Sequence, residues 1–414
     1  MTVFPTTAQP AGGRAATRRT VPTLARPAAF WLVVATVTTL LAASSAPSPL
    51  YSVYQAEFGF SSSTLTAIFA VYVLALLLSL LTVGRLSDFV GRRPVLAVAL
   101  VVQAAAMVVF LGADGVTGLF VARIVQGLAT GAAIGVLGAY LLDLQPGDGS
   151  RLGSLMNSVA ATGGLGLGAV VAGVLLQYGP QPTRLIFEIF VLAFLILAAA
   201  TAVLPETVQP RPGAWGALRP RVSVPAAARR AFLRSMPTMV STWMLGGLML
   251  SVGGSLVATE FGQQNHAVVG TVLGSFAGAA AGASTLLQNR SPEFMSVLGT
   301  GLLVLGTGSV VLSIATGSAA VFVAGTVVAG AGFGPAFLGA FRSVSQLAAD
   351  HERAALISAV FVVSYLAFSV PAVVAGVLIV VFGLAPTALG YAAVVAAVAA
   401  GTLVEQLVAR RRTA

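Results

Sequence analysis

The chain has 414 residues, 57% of them hydrophobic and 8% charged, with a mean hydropathy of +0.96. That much apolar surface cannot be hidden in one water-soluble core, so its solvent is lipid. Cysteine is absent and histidine occurs twice, which excludes a disulfide framework and a thiolate nucleophile and leaves little for a metal centre. The net charge of +10 comes from arginine alone, with no lysine, and its concentration in loops fits membrane topology better than nucleic acid.

In chain order, apolar runs of about 20 residues, enough to cross a hydrocarbon core at 1.5 Å per residue, predict twelve spans. They fall near 28–50, 62–83, 94–112, 118–142, 152–177, 183–204, 237–259, 266–287, 294–315, 318–341, 354–382 and 385–407. The first follows Arg14, Arg18, Arg19 and Arg26 and ends in Ala43-Ser44-Ser45-Ala46, a pattern shared with cleaved signal peptides. Retention of that span keeps the chain symmetric and is the expectation. With both termini cytoplasmic, every arginine except Arg123 and Arg184 falls on the cytoplasmic side, as the bias of basic residues requires.

The longest polar interruption separates two sets of six spans. The expected organisation is an all-α membrane protein of two pseudo-symmetric six-helix bundles: a tail at 1–27, a bundle at 28–204, a linker at 205–236, a bundle at 237–407 and a tail at 408–414. Gly138-Ala139-Tyr140 followed by Asp148-x-x-Arg151 returns about 200 residues later as Gly339-Ala340-Phe341 followed by Asp350-x-x-Arg353, at equivalent helix ends. A short amphipathic helix near 225–234 is expected to lie on the anionic leaflet.

Between spans 2 and 3 stands Gly84-Arg85-Leu86-Ser87-Asp88-Phe89-Val90-Gly91-Arg92-Arg93. Gly84 and Gly91 permit close approach and a tight turn, and Arg92 and Arg93 pin the loop to the cytoplasmic surface. Asp88 opposes the basic bias and needs an arginine or a helix N-terminus as partner. This run closely resembles the loop between helices 2 and 3 of major facilitator superfamily carriers, nearest the twelve-helix drug and metabolite exporters. The resemblance implies two halves that rock to give alternating access. It also implies that Asp88, with Gly84, Gly91, Arg92 and Arg93, forms a latch to the start of span 11 when the cytoplasmic side is closed. The plainer alternative is a topology determinant with local salt bridges.

Span 4 carries Arg123-x-x-Gln126-Gly127, which resembles the helix 4 pattern of the same superfamily. Positions 123, 126, 127 and 130 share a helical face, so Arg123, Gln126 and Thr130 can line a cavity while Gly127 and Gly131 admit a neighbouring helix. Arg123 is either a coupling residue or an arginine snorkelling to the outer surface. Span 5 holds Gly163, Gly164, Gly166, Gly168 and Gly173. Gly164, Gly168 and Gly173 are expected to pack helices closely or to act as a hinge. The segment partly resembles the antiporter motif of drug exporters, but Leu155 and Ala169 replace the expected glycine and proline. Pro47 and Pro49, at the outer end of span 1, resemble the exporter branch.

A proton-linked carrier needs a carboxylate that titrates inside the bundle, and only Glu188 and Asp143 are placed for burial; Glu188 could instead pair with Arg184. Thr38, Thr39, Tyr72, Asn157, Trp243, Ser364 and Tyr365, with Arg123 and Gln126, are candidate cavity residues near the midplane. Trp31 is expected in the inner aromatic belt, and Tyr51, Tyr54, Phe58 and Phe60 in the outer one. No Gly-x-x-x-x-Gly-Lys-[Ser/Thr] loop exists to bind ATP, and no constellation supports an enzyme. The sequence therefore points to a monomeric, multi-pass secondary transporter of a bacterial plasma membrane, without cofactor or nucleic-acid partner. The expected activity is proton-linked export of small lipophilic molecules. The alternative is an importer or facilitator of a sugar or other metabolite.

Overall fold

The computed structural model describes residues 23–147 and 152–411, with the backbone alone at 350 and 351. Asp148 and Arg151 of the repeat trace, and Arg14, Arg18, Arg19 and Arg412, lie outside these residues. Among the described residues there are only helices, turns and loops. Eleven helices are long and apolar enough to cross a membrane, or twelve if one bent pair counts as a single span.

The first six are α1 (Arg26–Phe58), α2 (Ser62–Val83), α3 (Arg92–Leu111), α4 (Val116–Leu144), α5 (Leu152–Tyr178) and α6 (Leu185–Ala200). The second six are α7 (Ala226–Ser251 continued by Gly253–Glu260), α8 (His266–Leu287), α9 (Pro292–Thr316), α10 (Ala319–Ser345), α11 (Asp350–Phe382) and α12 (Leu384–Arg411). Side-chain caps start several of them: Ser61 accepts from Thr64 N, Asn265 from Ala267 N and Val268 N, Ser291 from Phe294 N and Ser318 from Val321 N. These oxygens satisfy amide donors that have no partner inside the helix.

The end of α1 and the start of α7 differ from the sequence expectation. Helix α1 continues past residue 50 to Phe58, interrupted only at Ala46, because Pro47 and Pro49 occupy the first turn of the continuation, where a missing N–H costs least. Tyr51 and Tyr54 on that continuation are buried, so they belong to the interior and not to an outer belt. Trp31 is exposed on the bundle surface. Helix α7 begins at Ala226 and runs through Pro237, so 226–236 is continuous with the helix of the seventh span and not a separate amphipathic helix. Its apolar face, Ala228 and Phe232, packs with Met239, Val344 and Leu356, which holds the segment against α10 and α11. At Val252 the helix bends by 53° into the π-helical turn Leu256–Glu260.

Each half has its own core. In the first, Phe30, Leu40, Leu100, Tyr140 and Phe194 are buried, and Phe110 stacks on Phe187 with ring centroids 4.7 Å apart. In the second, Leu248, Leu303, Val310 and Ala392 are buried together. Helices approach closely through small residues, as dispersion contacts in lipid demand. A Cβ on Gly127 would meet Ala75 Cβ at 2.9 Å, and one on Gly131 would meet Ser79 Cβ at 2.9 Å, both on α2.

The linker and both described ends lie at one side of the bundle, the linker side. Opposite it, on the far side, the halves meet along α2 with α11 and α5 with α8. Phe69 lies 5.1 Å from Phe368 ring to ring, and Thr66 fills the place a side chain on Gly376 would need. A Cβ on Gly173 would sit 3.0 Å from Gly270 Cα. Nearer the linker side on the same faces, Gly163 of α5 and Gly278 and Gly282 of α8 have nothing within 4 Å of a Cβ position. The halves are therefore packed together on the far side, while these positions nearer the linker are left uncovered.

Candidate functional site

Three constellations stand out. The first is the turn between α2 and α3 with the start of the linker. Gly91 has φ +107°, a conformation L side chains rarely adopt. It lets the chain reverse so that the Glu206 carboxylate can reach the start of α3, where Oε1 accepts from Arg92 N at 2.8 Å and Oε2 from Arg93 N at 3.0 Å. A carboxylate there satisfies two free amides and opposes the positive end of the helix dipole. Arg92 Nη1 donates to Asp88 Oδ1 at 2.6 Å and Ser87 Oγ at 2.8 Å, and Arg92 Nε to Asp143 Oδ2 at 3.3 Å. Thr207 Oγ1 donates to the same Asp143 oxygen at 2.6 Å, while Arg93 donates to the carbonyls of Thr201 and Ala202.

Asp88 is thus paired with Arg92 inside its own half. Asp143 is half-buried, with its charge met by Arg92. Gly84 lies at the end of α2 where α4 crosses, its Cα 3.0 Å from a Cβ position on Gly135. Sequence reasoning left Glu206 in the linker without a role. The signal available was a lone carboxylate, right after a span, amid arginines on the side of the Gly91-Arg92-Arg93 turn.

The second constellation surrounds Arg123, which is fully buried. Its Nε donates to Tyr51 Oη at 2.6 Å, and its Nη1 to Ser44 O at 3.0 Å and Gln126 Oε1 at 2.7 Å. The guanidinium carbon lies 5.0 Å from the Tyr72 ring centroid and 5.4 Å from that of Tyr51, close enough for cation–π attraction. Gln126 Nε2 donates to Ala43 O at 2.9 Å. Arg123 therefore does not snorkel to a surface; phenol, amide and backbone oxygens hold it.

The third is an aromatic cluster in the second half. Trp243 packs edge-on against Tyr365 at 5.0 Å, Phe337 at 5.4 Å and Phe368 at 5.7 Å, with Phe333 at 6.3 Å. Phe69 and Tyr72 of α2 join the same apolar group. Trp243 Nε1 and Ser364 Oγ are buried with no hydrogen-bond partner among the described residues, and Ser364 lies on the α11 stripe that carries Phe361, Tyr365 and Phe368.

The other expected site residues are scattered. Thr38 and Thr39 turn their hydroxyls to the carbonyls of Val34 and Ala35 on their own helix. Asn157 is exposed near the linker side. Gly164 and Gly168 press on α1 at Thr38 and Ala42, and Gly173 on α8. Glu188 corrects the sequence expectation: its side chain is 45% exposed and 4.0 Å from Arg184. The first turn of α6 leaves it outside the packed face that Phe187 and Phe190 form. Among the described residues, no carboxylate is buried in a span, and no group of three or more His, Cys, Asp and Glu is placed to hold a metal ion.

Comparison with known proteins places this geometry. The model of the Major Facilitator Superfamily matches residues 32–372; the chain belongs to that family of membrane transporters, a multi-pass membrane protein and not an enzyme. Two relatives, each described as an uncharacterized transporter, come from Rickettsia bellii (strain RML369-C) and Rickettsia felis (strain ATCC VR-1525 / URRWXCal2). They are 28% identical over 152 residues and 29% over 153. Each match covers 36% of this chain and 37% of the relative's length. Among solved structures, the nucleoside transporter NupG is similar with a TM-score of 0.67 at 14% identity, covering 91% of this chain and all of that one. A POT family transporter in complex with 5-aminolevulinic acid gives 0.72 at 13%, covering 91% and 95%.

Proposed function

We propose that the chain carries a small, uncharged or weakly amphipathic lipophilic molecule across a bacterial plasma membrane by alternating access. The observation behind this is the aromatic cluster around Trp243 where the two halves meet, with unpaired donors at Trp243 Nε1 and Ser364 Oγ. Such a surface suits a planar apolar molecule bearing a hydrogen-bond acceptor. The lack of a buried carboxylate among the described residues leaves a strongly cationic cargo without a counter-ion. Arginine placement supports a cytoplasmic linker side, and close packing of the halves on the opposite side fits an inward-facing form. The latch around Asp88, and Arg123 and Gln126 in coupling, belong to this reading.

Export linked to proton entry is the direction we favour, from the partial resemblance of span 5 to exporters. One observation supports the second reading, a facilitator: neither the Glu188 nor the Asp143 carboxylate is fully buried. The test is collapse of a pH gradient in proteoliposomes, screened with lipophilic dyes, sugars and amino acids. Dye-dependent collapse supports export. Sugar or amino-acid counterflow without proton movement supports the facilitator.

A further inference from the structure

We infer that Arg123 and Gln126 are positioning residues: Gln126 supplies the hydrogen bond that Pro47 removes from α1, Arg123 bridges the interruption, and together they fix the segment Pro47–Phe58 that helps close the far side. Proline has no N–H for the carbonyl four residues earlier, and for Pro47 that carbonyl is Ala43 O. Gln126 Nε2 donates to it at 2.9 Å. The next carbonyl, Ser44 O, accepts from Arg123 Nη1 at 3.0 Å. The same guanidinium reaches past the break at Ala46 and donates from Nε to Tyr51 Oη at 2.6 Å. One arginine thus grips α1 on both sides of its interruption, and Gln126 Oε1 steadies that arginine at 2.7 Å.

Buried carbonyls without partners are costly in lipid, and here Gln126 of α4 takes over from the donor that Pro47 lacks, while Arg123 bonds the next carbonyl. Ser48, Pro49 and Tyr51 line a crevice with Leu250, Ser251 and Gly254 at the bend of α7, so what holds Pro47–Phe58 also sets the fit of that closure. This inference rests on the alternating-access reading, but it is independent of cargo, direction and coupling ion.

The test uses full-length protein in proteoliposomes, and no transport substrate is needed. Because the chain has no cysteine, Ser52→Cys is a single reporter, read by its maleimide labelling rate beside the melting temperature. Gln126→Ala is expected to raise labelling about tenfold, the scale of one lost buried hydrogen bond, and to lower the melting temperature. Adding Pro47→Ala returns an N–H to Ala43 O and is expected to reverse both changes. It should not rescue Arg123→Ala, whose partners Ser44 O and Tyr51 Oη lie elsewhere. No rescue of Gln126→Ala, or equal rescue of Arg123→Ala, overturns the inference. Should Gln126→Ala fail to insert, Gln126→Asn, one methylene short of the carbonyl, is read the same way. Altered labelling is distinguishable from failure of the transport reading, which would appear as no movement of any cargo with the labelling pattern intact.

Discussion

Glu206 Oε2 stands 2.8 Å from the position a Cβ would take on Gly91, while the same carboxylate bonds the first two amides of α3. The turn therefore needs glycine for two reasons, its positive φ and the presence of that carboxylate. Gly91→Ala is expected to destabilise the protein by about 1–3 kcal/mol. Glu206→Ala, which removes a cap, is expected to cost about 1 kcal/mol. Melting temperatures of purified protein check both, and a neutral Gly91→Ala would contradict the assignment.

Asp88 and Arg92 form an i,i+4 pair in which the carboxylate side chain is 39% exposed. Exposed pairs contribute little, about 0–1 kcal/mol. If Asp88 acts as a latch, Asp88→Asn should cut transport at least about tenfold while costing under about 1 kcal/mol of stability. Unchanged turnover in vesicles, with normal membrane insertion, would leave Asp88 as a topology residue.

A side chain on Gly376 would overlap Thr66 where α11 crosses α2 on the far side. Gly376→Ala is therefore expected to act as a wedge and shift the population toward a far-side-open form. A single cysteine introduced at Ser255 should then label faster. Thr66→Ala in the same chain should make room for the new methyl and return labelling to its original rate.

The Trp243 cluster combines a flat apolar surface with one unpaired N–H. Trp243→Phe should spare transport of cargo without an acceptor but raise KM about tenfold for acceptor-bearing cargo, the scale of one hydrogen bond. Trp243→Ala should weaken both. Equal effects of the two substitutions on every cargo would remove the N–H from the reading.

Helix number and division into halves were legible because lipid makes span length a compositional quantity, and the Gly84–Arg93 run pointed to the right family before any coordinates. The limits of α7 were not legible. Arg229, Arg230 and Arg234 make 226–236 look like linker, yet Ala228 and Phe232 bind it to α10 and α11, a tertiary contact no local pattern reveals. Arg123 was visible as a charge out of place and Gln126 as its neighbour on the same face, but its other partners are the Ser44 carbonyl and a tyrosine 72 positions away, which spacing cannot indicate. Of the two readings of Glu188, the pair with Arg184 is the one seen; burial was not decidable because a one-dimensional reading gives depth along a helix and not the direction a side chain faces.

The linker is made fast at both ends. Arg211 N donates to Phe89 O at 2.9 Å on the first half, and Ser223 N to Ala355 O at 3.4 Å on the second. Residues 212–222, which include the short helix Ala214–Ala217, join the two anchorages, a run that spans about 40 Å when fully drawn out. While both moorings hold, this leash sets an upper bound on how widely the linker side can gape, and thereby on the bulk of any cargo entering there.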